Sequence, residues 1–285
     1  MGSEPLTCRV YPHGNSDQEV VMAEMFRQVD RALPTARGYV VMTYARSGGT
    51  WFAQLLASTG VLGRPEDWFN GQGYRDRGVA DYPLDRAGQR AMMLTHGMTD
   101  NGVFGVKLSP QRLDELWPTR WAEDFPERRF IHLVRRDRLA RALSDVKAQQ
   151  TRQFRASSIA RGEPRYDAVM IGNAIRAQAL HEARVQQYFA LNAIAPLEIA
   201  YEDLLVDAPA VVTRVAAFLG VDGSIQLDAD KVDLTVQRDA TNAAWRTRFL
   251  AESQTVDRMP TLAAGRWERL VGQLGKLVSR RNHRL

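Results

Sequence analysis

Short apolar runs rich in β-branched residues alternate along this chain with stretches of helical periodicity. Tyr39-Val-Val-Met-Thr-Tyr44 is the first such run and has the pattern of a buried parallel strand. A glycine-containing turn, Ala45 to Gly49, follows it. Thr50 to Ser58 then predicts a helix with Trp51, Leu55 and Leu56 inward, stopped by Gly60. Phe104 to Leu108 predicts a second strand, and Arg129 to Val134 a third that leads into a helix from Leu139 to Gln150. Leu197 to Tyr201 predicts a fourth strand, followed by a helix from Pro209 to Leu219 that Gly220 closes. Strands alternating with helices predict an α/β fold, a P-loop-like parallel sheet flanked by helices on both faces.

Residues 1–37 read as an N-terminal helical extension to a single domain spanning 38–285. Within the extension Val20, Val21, Met25, Val29 and Leu33 approximate a helical stripe ended by Pro34. Such a stripe packs on the core or on a second subunit, so a homodimer is compatible with it. From Asn70 to Asn101 the chain is rich in Gly, Asp and Arg with little periodicity, and a long irregular segment of this kind reads as a lid. Trp267, Leu270, Val271, Leu274, Leu277 and Val278 predict an amphipathic packing helix with a basic end.

Composition narrows the setting. Over 285 residues, 45% apolar and 25% charged content is that of an ordinary globular protein. No apolar run reaches the roughly 18 residues of a membrane span. Met1 to Gly14 lacks a basic segment followed by an apolar one, which argues against a secretory signal. The single cysteine, Cys8, excludes internal disulfides and any Cys-based zinc site. Together these point to the cytoplasm. A formal charge of +5 and a pI near 9.5 suit an anionic partner. The cations are scattered, however, at Arg135-Arg136-Asp137-Arg138, at Arg152 and Arg155, and at Arg280-Arg281. That spread fits an anionic ligand pocket at least as well as a nucleic-acid stripe.

The chemistry concentrates in Thr43-Tyr-Ala-Arg-Ser-Gly-Gly-Thr50, placed between strand and helix. A turn there aims backbone N–H groups and the positive helix end at one spot, where an anion is best held. Gly48 and Gly49 let the backbone come close to a ligand. Ser47 and Thr50 offer hydroxyls, and Arg46 adds a permanent cation with a planar fork. Against the triphosphate loop G-x-x-x-x-G-K-[ST], Gly48 registers on the second glycine, Thr43 on the first and Gly49 on the lysine. Without that lysine ATP or GTP hydrolysis is disfavoured.

In these residues the chain resembles the PAPS-dependent sulfotransferases, where PAPS is 3′-phosphoadenosine 5′-phosphosulfate. Arg46 stands where that family carries the Lys or Arg of its phosphosulfate loop. Phe130-Ile-His-Leu-Val-Arg-Arg-Asp-Arg-Leu-Ala-Arg-Ala-Leu-Ser144 resembles its second element, an Arg at a strand end and a Ser on the next helix that bracket the nucleotide 3′-phosphate. Arg135 and Arg136 each register with the family arginine. The match is nearest to the bacterial carbohydrate branch, which includes trehalose-type and Nod-factor-type enzymes. It runs through Thr59-Gly-Val-Leu-Gly-Arg-Pro-Glu-Asp-Trp-Phe69, Gly105-Val-Lys-Leu108, Gln150-Thr-Arg152 and Tyr201-Glu-Asp-Leu204.

The resemblance implies transfer of a sulfuryl group from PAPS to an acceptor hydroxyl on a carbohydrate, glycolipid or related small molecule, leaving PAP and requiring no metal. The donor would be held by Arg46, Ser47, Gly48, Gly49, Thr50, Trp51, Arg135, Arg136 and Ser144. Arg46 and Lys107 would meet the charge that develops on the leaving phosphate. Asp67 stands where the trehalose-type enzymes have a glutamate base, with Glu66 beside it, and His96 is a third candidate for the base. Arg64 replaces an acidic sugar-binding residue of that type. His132, within a strand, reads as a core residue, and Arg152 as a further cation for acceptor or donor. Two other classes stay open on the residues alone: a P-loop-like kinase or nucleotide phosphotransferase, and a module that binds an anionic polymer.

Overall fold

The computed structural model describes residues 36–127, 129–154, 159–232 and 240–253. The helices expected over 20–33 and 267–278 lie outside them. Four parallel strands form one sheet: β1 (Arg37–Met42), β2 (Val103–Leu108), β3 (Arg129–Val134) and β4 (Leu197–Ala200), in the order β2-β1-β3-β4. The helices are α1 (Gly49–Ser58), α2 (Gly71–Arg75), α3 (Arg86–Gly97), α4 (Pro110–Leu116), α5 (Arg138–Thr151), α6 (Ala168–Leu191), α7 (Tyr201–Leu219) and α8 (Ala240–Glu252). A division at Asp239/Ala240 places α8 in a second compact unit. No helix among the described residues is long and apolar enough to cross a membrane.

Alternation along the strands accounts for both covered faces, because successive side chains point to opposite sides. Tyr39, Val41, Ile131, Leu133 and Ile199 pack against Phe52, Leu55 and Leu56 of α1 and Val211, Val212 and Val215 of α7. Val40, Met42, Phe104, Val106 and Phe130 meet Met93 and Leu94 of α3 and Val185 and Phe189 of α6. The strands are therefore apolar on both sides, as the unbroken runs in the sequence require. His132 is 1% exposed within β3, bonded through Nε2 to the Tyr44 hydroxyl at 3.0 Å.

Three stretches differ from the sequence expectation. Residues 70–101 are not one irregular segment. They carry α2 and α3, capped by Asn70 and Asp85, whose side chains accept from Gly73 N and Gly88 N. The apolar residues of α3 gather mainly in one short run, Ala91 to Leu94, which does not show the spacing of a helical stripe. α6, of 24 residues, has no counterpart in the sequence reading, since its apolar residues are spread around the helix, with Val169 and Leu191 exposed, and only Ile171, Val185 and Phe189 are buried apolar positions. α7 begins eight residues before the expected Pro209. Asp207 breaks its dihedrals at φ −152° and ψ 84°, and caps the second half by accepting from Ala210 N at 2.9 Å.

The hydroxyl of Tyr39, wholly buried on β1, donates to the Leu62 carbonyl at 2.7 Å and anchors the turn that leads to residues 64–67. Burial raises its pKa well above the usual phenol value, so it remains a donor. Tyr39→Phe should leave that carbonyl unsatisfied and cost about 1–3 kcal/mol, read as a lower urea midpoint at constant m-value. An unchanged midpoint would show that the bond does not anchor the turn.

Candidate functional site

In the order β2-β1-β3-β4 the chain leaves β1 for one neighbour and later returns to the other side of it. The direction of winding therefore reverses at β1, the place where open parallel sheets form a crevice beyond their carboxyl ends. The turn of residues 43–48 lies there, tied to β2 by Thr43 N donating to Leu108 O at 2.9 Å. Gly48 takes φ +85° and caps α1 without any side-chain cap, so the first amides of that helix face outward. A Cβ on Gly48 would stand 2.4 Å from Tyr201 Cδ2, and one on Gly49 would stand 2.9 Å from Thr43 Oγ1 and 3.3 Å from Lys107 Cδ. Glycine is demanded at both places.

A buried arginine and a half-buried one fix the turn. Arg141, 2% exposed on α5, donates from Nε to Ala45 O at 3.1 Å, lies 4.6 Å above the Tyr44 ring and pairs with Glu182 Oε1 at 3.2 Å. Arg135, just past β3, donates from Nη1 to Arg46 O at 3.1 Å and covers the Tyr201 ring at 4.9 Å. Arg46 itself sits at φ +63°, a conformation that costs a non-glycine residue about 1–2 kcal/mol. Its side chain crosses to α5, donating from Nε to Ser144 Oγ at 2.9 Å and from Nη1 to Phe154 O at 2.6 Å. Burial lowers its pKa below the ordinary guanidinium value, and Asp145 opposes that shift.

A second group forms at the end of β2. Glu66 bridges to Val106 as an added edge, with Lys107 N donating to Glu66 O at 2.9 Å. This places Asp67 beside Lys107, and Asp67 Oδ2 pairs with Lys107 Nζ at 3.0 Å. Lys107 is 8% exposed and stands opposite Val41 in register, so its stem runs on the α1 side of the sheet toward Gly49. A cleft of about 80 Å³ opens there, lined by Asp67, Phe69, Asn70, Lys107, Ser109 and Arg112.

The residues singled out from the sequence therefore divide. Arg46, Ser47, Gly48, Gly49, Thr50, Arg135 and Ser144 meet around the turn, with Lys107 and Asp67 next to them. Trp51, in the first turn of α1, meets Tyr201 edge-on at 5.9 Å; its Nε1, like Arg135 Nε, is buried without a hydrogen-bond partner among the described residues. Arg136 instead forms a two-point pair with Asp203, at 2.6 and 3.0 Å, on the exposed side. Glu66 turns its carboxylate to the Tyr74 hydroxyl at 2.8 Å and to Arg64 at 3.5 Å. His96 ends α3, where Gly97 O accepts from Arg64 N near the start of β2, at the opposite end of that strand from the cleft. Burial and Arg64 both lower its pKa. Arg141, Tyr201, Asn70 and Arg112 escape the sequence reading because each acts through partners dozens of residues away. Only Tyr201 carries a local signal, as the first residue of the Tyr-Glu-Asp-Leu motif.

The family model described as Stf0 sulphotransferase matches residues 38–252. The chain is 28% identical over 259 residues to the trehalose 2-sulfotransferase of Mycobacterium tuberculosis, covering 76% of this chain and 96% of that protein. It is 26% identical over 266 residues to the trehalose 2-sulfotransferase of Mycolicibacterium smegmatis, covering 78% and 96%. Among solved structures, a sulfotransferase from Alicyclobacillus acidocaldarius aligns with a TM-score of 0.43 at 16% identity, covering 76% of this chain and 95% of that one.

Gly48→Ala should destabilise the protein by about 1–2 kcal/mol from the left-handed backbone alone, with the Tyr201 clash added. Truncating the ring removes only the clash, so Gly48→Ala combined with Tyr201→Ala should lose less than the sum of the two single changes in chemical denaturation. Strict additivity would mean that ring and glycine do not press on each other.

Proposed function

The chain belongs to the Stf0 sulphotransferase family, and we propose that it moves a sulfuryl group from PAPS to a carbohydrate or glycolipid hydroxyl. The observation that carries the donor assignment is the Arg46–Ser144 bond, which joins the turn and the second motif into one anion site. The donor would lie along the reversal at β1, its 5′-phosphosulfate on Arg46, Gly48, Gly49 and Thr50, with Trp51 beside it; the Ser47 hydroxyl, fully buried and donating to Tyr44 O at 2.7 Å, shapes the turn instead. Its 3′-phosphate would rest on Arg135 and Ser144. Arg135 is favoured over Arg136 because it faces the turn, whereas Arg136 is engaged with Asp203. The buried unpartnered Nε1 of Trp51 and Nε of Arg135 suit a ligand rich in acceptor oxygens.

Asp67 is the proposed base, since it lines the cleft while Glu66 is engaged by Tyr74 and Arg64. The acceptor oxygen attacks sulfur as its proton passes to the Asp67 carboxylate. The sulfur–oxygen bond to the phosphate breaks, and the electron pair stays on PAP. Negative charge thus grows on the departing phosphate, where Arg46, the outward amides of α1 and Lys107 are grouped to meet it. A nucleotide phosphotransferase is disfavoured by Gly49, which stands where the triphosphate loop has its lysine. Carbohydrate as acceptor is supported by the two trehalose-acting relatives.

PAP at a hundredfold excess over its Kd should stabilise the protein by about 2.7 kcal/mol in a thermal-shift assay, with ATP and heparin giving little. Stabilisation by ATP or heparin equal to that by PAP would overturn the donor assignment. Arg135→Ala should weaken PAP more than adenosine 5′-phosphosulfate in calorimetry, while Arg136→Ala leaves both nearly unchanged. Equal losses for both ligands in Arg135→Ala would remove the 3′-phosphate from that site.

Asp67→Asn should keep PAP affinity and lower kcat by ~10²–10⁴, the usual loss of a general base. Glu66→Gln should stay near the wild-type rate. The reverse pattern in sulfate-transfer assays would make Glu66 the base.

A further inference from the structure

The cleft's hydrogen-bonding groups are strongly one-sided. Asn70 Oδ1 is spent on Gly73 N at 3.1 Å and Arg112 Nη2 at 2.9 Å, and the Nδ2 hydrogens have no acceptor among the described residues. Ser109 Oγ accepts from Arg112 N at 3.2 Å as the cap of α4, and its own proton has no acceptor among the described residues. Arg112 has Nη1 on Glu115 and Nη2 on Asn70, and its Nε–H has no acceptor among the described residues. Lys107 has three ammonium hydrogens and one carboxylate partner. Against these donors the cleft lining offers a single carboxylate, Asp67, with one oxygen on Lys107 and the second open to a donor.

Resting on the sulfotransferase reading above, we propose that Asn70 and Arg112 set acceptor specificity, selecting a hydroxyl flanked by oxygen atoms and rejecting one flanked by an amine. The reacting hydroxyl donates to Asp67, the one carboxylate of the cleft lining. Its neighbours on the acceptor must then receive hydrogen bonds from Asn70 Nδ2, Ser109 Oγ and Arg112. Hydroxyl and ring oxygens of a neutral sugar do so. A protonated amine has no lone pair to offer and adds a third cation beside Lys107 and Arg112. A site built to bond an oxygen discriminates against an amine, because its half-buried donors go unpaired with the wrong partner.

Glucose and glucosamine form a matched pair for the test, with trehalose as a larger neutral probe, each assayed for sulfate transfer from PAPS by the full chain. Wild type should favour glucose over glucosamine in kcat/KM by tenfold or more. Asn70→Asp keeps an oxygen for Gly73 N and Arg112 but replaces the amide donors with acceptors. It should shift the glucose-to-glucosamine ratio at least about tenfold toward the amine, with the thermal midpoint and PAP affinity held. Arg112→Met, which keeps the apolar stem, should raise KM for glucose and trehalose with kcat little changed. An Asn70→Asp ratio equal to wild type, or a wild type that prefers the amine, overturns the proposal. So does an enzyme that binds PAP yet sulfates neither glucose nor trehalose. Failure to bind PAP would instead remove the donor reading, and this one with it.

Discussion

The turn after β1 holds its shape because two consecutive carbonyls, those of Ala45 and Arg46, each accept from a guanidinium at 3.1 Å, Arg141 for the first and Arg135 for the second. A trans peptide points its carbonyl and the next N–H in opposite directions, so anchoring one aims the other. Arg46 is held at a positive φ that its side chain would otherwise avoid. The anchors are themselves fixed elsewhere: Arg141 by Glu182 of α6 and by the Tyr44 ring, Arg135 by Tyr201 at the start of α7. A surface-looking helix such as α6 thus bears on the turn through one buried ion pair. Removing one member of such a pair leaves an uncompensated charge, which is why its integrity matters more than its net worth.

The cleft depends on a different device. Glu66 pairs with Val106 and extends the sheet by a single bridge beyond β2, which carries Asp67 to the level of Lys107. Strand alternation does the rest, turning Lys107 toward α1 and Gly49 while Val106 and Leu108 enter the opposite core. Asp67 and Glu66 are neighbours in sequence with different surroundings, one open to the cleft and one engaged by Tyr74. The pair shows how backbone direction divides two similar side chains between chemistry and support.

Much of this was written in the chain. The β-branched runs made the four strands, both faces apolar, because a parallel sheet covered by helices leaves no polar side. Thr43 to Thr50 marked the turn, since its paired glycines suit the left-handed cap at Gly48 and the close contacts there, and a lone lysine in an apolar strand marked Lys107. Tertiary structure decided the rest. Which of Arg135 and Arg136 faces the turn follows from where β3 ends and Asp203 begins. Whether Asp67, Glu66 or His96 meets the cleft follows from the Glu66 bridge and from which end of the sheet α3 reaches. The donors of Asn70 and Arg112 converge only because the fold brings the start of α2 against α4, where Arg112 bonds Asn70. These are contacts between segments far apart in sequence, and no local periodicity encodes them.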